Sequence, residues 1–218
     1  MSTKLMDSFK DSNPLSRTLK TMTVHLEPVY LANVLLYIDD VKSIESFPFV
    51  SKNCHEATLT IKTNPTAFSA SPRPILKYFP NINTMVVEDV TCFKKLDSLP
   101  DTVTAVIIKW VDFGMVEGGY PIHTFSDRVV EIQSCDTSDY YEVDLRFFPH
   151  LQKVTASCDG QSTMSFPTYP LKRLRVDYSQ SFHSSFYYFP PTCAEQLIFI
   201  ITRGDSHVLR HAAAERMG

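Results

Sequence analysis

A short apolar pattern returns six times between residues 82 and 199, and this recurrence limits the chain more than any other feature. The stretch LKYFPNINTMVVEDV places Ile82, Met85 and Val87 at the first, fourth and sixth positions of a unit. The same spacing recurs as Val103-Val106-Ile108, Val129-Ile132-Ser134, Leu151-Val154-Ala156, Leu171-Leu174-Val176 and Ala194-Leu197-Phe199. Successive first positions stand 21, 26, 22, 20 and 23 residues apart. In five units a proline lies one to three residues upstream; the third has FSDR there instead. Self-similarity at such a period marks units that each carry one strand and a helical or irregular return. A single unit cannot bury its apolar edge alone, so neighbours stack and share one core beneath a curved parallel sheet. The competing reading is an ordinary α/β domain whose strands happen to be evenly spaced.

Before the repeats the apolar period is helical. Leu31, Val34, Leu35 and Ile38 fall at i, i+3, i+4 and i+7, one face of a helix. Pro28 stands where a first-turn proline is tolerated. Asp39–Asp40 provides a stop and a cap for a second short helix, Val41 to Phe47. A third helix is expected from Ser51, carrying Cys54, Ala57, Thr58 and Ile61, and TNP ends it. Helices this short pack on one another and leave one apolar face for something else.

Residues 1–20 are polar and without period and read as a loose leader; the helical module spans 21–66, and the repeats span 75–202. The tail 203–218, containing SHVLRHAAAERMG, continues no repeat. It is either a capping helix over the open end of the solenoid or an end of foreign origin. The asparagine expected near the ninth position of each unit is missing, since residues 90, 111, 137, 159, 179 and 202 are Val, Val, Thr, Asp, Ser and Thr. The turns must satisfy their backbone by other means, and the long return Val111 to Ser126 is expected to project.

Composition narrows the function. With 21 basic and 24 acidic residues and a net charge of −3, there is no electrostatic footprint for nucleic acid or an anionic membrane. No apolar run approaches the roughly 18 residues of a membrane span, and the N-terminus lacks the apolar stretch of a signal peptide, so the cytoplasm or nucleus is the expected compartment. Five scattered cysteines, 54, 92, 135, 158 and 193, read as reduced structural thiols rather than a disulfide frame.

Chemistry is scarce. Among seven histidines only His207 and His211 have i, i+4 spacing, without the glutamate of a zinc motif, so no metal or other cofactor is expected. No phosphate-binding glycine motif or nucleophile elbow occurs, and the chain has six glycines. Cys135 and Cys158 are the conceivable nucleophiles, but no histidine is fixed beside either. The RGD at 203–205 is too short a match to carry meaning. No catalytic residue is assigned, and the chain is expected not to be an enzyme.

The helical segment resembles an F-box. Leu26 matches that family's opening leucine, Val34–Leu35 its apolar pair, Ile38–Asp39 its stop, and Phe49-Val50-Ser51-Lys52 its last element. The proline comes one residue late at Pro28, Val29 replaces the usual glutamate, and Cys54 stands where tryptophan is common. The six units resemble degenerate leucine-rich repeats, and the combination is similar to the F-box/leucine-rich-repeat proteins expanded in amoebic protists. The resemblance implies docking on a Skp1-like adaptor of a cullin ubiquitin ligase through Leu26, Pro28, Leu31, Val34, Leu35 and Ile38. It also implies that the repeats select a target protein. Outward strand positions suited to that task include Thr84, Glu131, Gln133, Lys153, Lys172, Arg173 and Arg175. The alternative is a scaffold or regulatory subunit whose helices only cap the solenoid. A cysteine enzyme is the third reading, and it has the least support.

Overall fold

The computed structural model describes residues 26–70, 75–95, 99–112, 125–136, 142–158, 163–179, 192–203 and 206–207. The leader, residues 113–124 of the long return and most of the tail lie outside the described residues. The fold is mixed: short helices lead into a largely parallel sheet in a solenoid-like arrangement.

The N-terminal module holds α1 (Pro28–Leu36), α2 (Val41–Ser46) and α3 (Lys52–Thr60). Pro28 opens α1 at its first position, where a missing N–H costs nothing. Asp40 caps α2 by accepting the Ser43 N–H at 2.7 Å, and the Ser43 hydroxyl first, with this N–H second, holds the Asp40 carboxyl below its ordinary range. Ser51 caps α3 through Cys54 N–H at 3.1 Å. The Asn53 amide ties α3 to the start of the module by donating to the Leu26 carbonyl at 2.8 Å. A four-residue helix, α4 (Ile75–Tyr78), then precedes the sheet.

Six strands follow the six repeated patterns: β1 (Thr84–Asp89), β2 (Ala105–Asp112), β3 (Val129–Asp136), β5 (Lys153–Cys158), β7 (Leu171–Ser179) and β8 (Ala194–Arg203). They lie side by side in chain order, each pair parallel. One row of inward side chains crosses all six: Val87, Ile108, Ile132, Val154, Leu174 and Leu197. All but Leu197 are buried. This row is the shared spine that stacking units require.

The third unit departs from the expected pattern. Ser134 is half-buried, and Cys135 holds the inward place instead. An extra residue enters β3 near Val130, where the register against β2 shifts. Both β2 and β3 then carry two outward residues between inward ones, Lys109–Trp110 and Gln133–Ser134, whereas β5 carries one, Thr155. The register accordingly shifts again between β3 and β5.

Valine in place of the turn asparagine is explained at the first unit. Val90 is buried, and the preceding Asp89 side chain accepts the backbone N–H of Thr91 at 2.7 Å as a short 3-10 turn begins. The returns also contain strands that the sequence pattern does not announce. β4 (Glu142–Asp144) and β6 (Thr163–Ser165) form a second, two-stranded parallel sheet. Val143, Leu145 and Phe148 from the first of these returns are buried in the common core. Of the tail, residues 206–207 form β9 (Ser206–His207), antiparallel to Thr202–Arg203, and the stretch from 208 onward lies outside the described residues. His207 is therefore in a strand, and His211 lies outside the described residues.

The module and the sheet meet through residues 62–69, beside the otherwise open edge of β1. The Thr84 N–H donates to the Lys62 carbonyl at 3.0 Å, and the Glu88 N–H donates to the Ser69 carbonyl at 2.8 Å. Between them the buried Asn64 stands in for a strand residue. Its Nδ2 donates to the Val86 carbonyl at 2.9 Å, and its Oδ1 accepts the Val86 N–H at 2.6 Å. An edge strand with bare N–H groups invites pairing with another chain, and this strap removes that invitation.

Candidate functional site: two exposed surfaces

The helical module has a buried side and an exposed one. Leu35, Ile44, Phe47, Cys54, Ala57 and Ile61 belong to the core that continues through Phe68, Ile75 and Phe79 into the sheet. Nine of the eleven exposed large apolar side chains among the described residues lie between Leu26 and Leu59. On α1 and its ends these are Leu26, Val29, Tyr30, Val34 and Tyr37, the last 83% exposed. Phe49, 88% exposed, and Val50 stand at the entry to α3. Pro28, Val29, Ala32 and Leu36 of α1 also line an open groove whose other wall is the chain from Thr60 to Thr63.

This arrangement divides the face expected from the sequence. Leu35 is fully buried, so it contributes to the core and has no surface for an adaptor. Leu31 and Ile38 are half-buried against the same core, and Pro28 is half-buried at the groove. Leu26 and Val34 are exposed. The i, i+3, i+4, i+7 pattern therefore reports mostly the inward stripe. Sequence reasoning missed Val29, Tyr30 and Tyr37, although the signal was present: Asn33 is the one strongly polar residue of PVYLANVLL, whose apolar residues extend well beyond one face. A helix of that kind has more apolar surface than one packed face can cover.

The second surface is the open face of the sheet. One lateral row runs Val86, Ile107, Glu131, Lys153, Arg173 and Gln196, joined strand to strand by register. Exposure rises along it, from half-buried at Val86, Ile107 and Glu131 to exposed at Lys153, Arg173 and Gln196. Lys153 Nζ lies 3.4 Å from Glu131 Oε2, and Arg175 Nε donates to Asp177 Oδ1 at 2.8 Å. Arg173 and Lys172 are exposed, and no described carboxylate lies within ion-pair distance of either. Gln133 is exposed beside Glu131. The sheet thus gathers Glu131, Gln133, Lys153, Lys172, Arg173 and Arg175 on neighbouring strands. Thr84 stands apart, at the β1 edge held by the strap. Trp110, 38% exposed, lies three residues beyond Ile107 on the same strand.

At the β1 edge, Glu88 accepts from the Ser69 hydroxyl at 2.7 Å and from Lys109 at 3.0 Å. The hydroxyl first, and the ammonium second, hold the Glu88 carboxyl below its usual range. Cys54, Cys92, Cys135 and Cys193 are buried, and burial pushes the Cys193 thiol upward, away from the thiolate that nucleophilic chemistry needs. The side chain of Cys158 lies outside the described residues. Among the described residues no three His, Cys, Asp or Glu side chains converge as a metal site, and no helix is long and apolar enough to cross a membrane. No family model, curated protein or solved structure matched the chain.

Proposed function

We propose that this chain is a non-enzymatic protein-interaction module, a substrate receptor that docks on a Skp1-like adaptor through its N-terminal helices and presents the repeat sheet to a target protein. The supporting observation is the outer face of the module. Leu26, Val29, Tyr30, Val34 and Tyr37 remain exposed although the opposite side packs against the core that continues into the sheet. Such a concentration of exposed apolar side chains marks a surface with a partner. Aromatic residues are also the side chains that most often dominate binding energy.

The second reading, a scaffold or regulatory subunit whose helices only cap the repeats, draws on the strap at the β1 edge. Capping accounts for the buried side of the module. It leaves the apolar outer side without a purpose, and this favours the receptor reading.

The test is pull-down and titration calorimetry with a Skp1-like adaptor, using the full chain and a Tyr30→Asp/Val34→Asp double variant. Both residues are exposed, so the variant should fold with unchanged circular dichroism. The receptor reading expects binding that the variant weakens by at least about tenfold. No binding by the folded wild-type chain leaves the capping reading in place.

A further inference from the structure

We infer that the open face of the sheet recognises an extended protein segment with one apolar residue and, about four residues away from it along the segment, acidic residues. This rests on the receptor reading and specifies the target it would select. The row across the strands changes character along its length. Val86 and Ile107 make its first end apolar, with Trp110 about 10 Å further along β2 at the usual rise per residue. Lys153 and Arg173 make its other end basic.

The acids on the face do not balance its cations. Glu131 engages Lys153 and Asp177 engages Arg175; Glu195 stands across from Lys172 on β8 without reaching ion-pair distance, and Arg173 has no described carboxylate partner. A guanidinium exposed on a sheet is a preorganised fork for a partner's carboxylate. Glu131, between the two ends, disfavours acids in the middle of the segment and so fixes which end of the row receives them.

Ile107 and Arg173 are separated by three strand spacings, β2 to β3 to β5 to β7. At ~4.8 Å per spacing this is ~14 Å, the reach of about four residues of extended chain. The spacing follows from register alone and makes the proposal specific.

The experiment uses the full chain and fluorescent Gly/Ser peptides carrying one leucine and a Glu-Glu pair separated by zero to eight residues, read by anisotropy. The tightest binding is expected near a separation of four. Arg173→Glu should weaken it by about tenfold and Arg173→Lys by less, while Glu131→Gln, which frees Lys153, should tighten it. Binding that ignores the spacing, survives Arg173→Glu or is matched by a single-stranded oligonucleotide overturns the proposal, as does no binding by any peptide. Arg173→Glu should leave adaptor binding unchanged. Loss of adaptor binding in the wild-type chain would count against the receptor reading, whatever the peptides show.

Discussion

The two ends of the sheet are finished differently. At the first strand, backbone from 62 to 69 and the Asn64 side chain engage the edge, and Ile82, Met85 and Val87 are fully buried. At the last, the equivalent Ala194, Leu197 and Phe199 are only half-buried, and among the described residues β9 pairs with β8 only at Thr202 and Arg203. A stack of repeats draws its stability from neighbour contacts, so an end unit with one neighbour is weaker unless something replaces the other. The helical module is that replacement at one end. Its attachment to the sheet is as much a part of the fold as the repeats are.

The largest expected effect separates the two ends directly. Leu35→Ala should cost about 2–5 kcal/mol in urea denaturation, because it empties a fully buried site in the module. Leu197→Ala at the far end should cost about 1 kcal/mol, in keeping with its partial burial. Equal costs would break the comparison. Next comes Asn64→Ala, which leaves the Val86 N–H and carbonyl without their partner and should cost about 2–3 kcal/mol. If the loss is under half a kcal/mol, the strap does not secure the edge.

A smaller effect concerns acid. The Glu88 carboxyl is depressed in the folded chain, so its contribution is present above the ordinary glutamate range and is lost as pH falls through its lowered folded value. Denaturation followed below about pH 4 should therefore show a shallower acid loss in Ser69→Ala than in the wild type. An identical slope would remove Ser69 from the account. The smallest effect is Val34→Ser, expected to change stability by less than about 0.5 kcal/mol because the side chain already faces solvent. A large loss would mean that this face is structural.

Much of this architecture was legible because it depends on spacing. The six apolar units marked six parallel strands in order, and Pro28, Asp40 and Ser51 marked the helix starts through capping chemistry that acts over three or four residues. What escaped depends on partners distant in the chain. Ser134 fits the unit's spacing, yet two successive outward residues, Gln133 and Ser134, hand the inward place to Cys135. Asn64 looks like the end of a helix, and its role exists only once Val86, 22 residues later, lies beside it. β4 and β6 are three residues each, too short for any period to show. The exposed apolar side of α1 escaped for a related reason. Periodicity finds the stripe a helix buries, so it selected Leu35 and passed over Tyr30 and Tyr37.

The strap at Lys62–Ser69 has a consequence for how far apart two bound proteins could be held. Because the module is stitched to the first strand by main-chain bonds, lengthening this segment would unpick the stitch rather than extend a tether. Reach can then change only in whole units: inserting one repeat would carry the far edge outward by ~4.8 Å and leave the near edge as it was. The geometry of any assembly built on this chain is counted in strands.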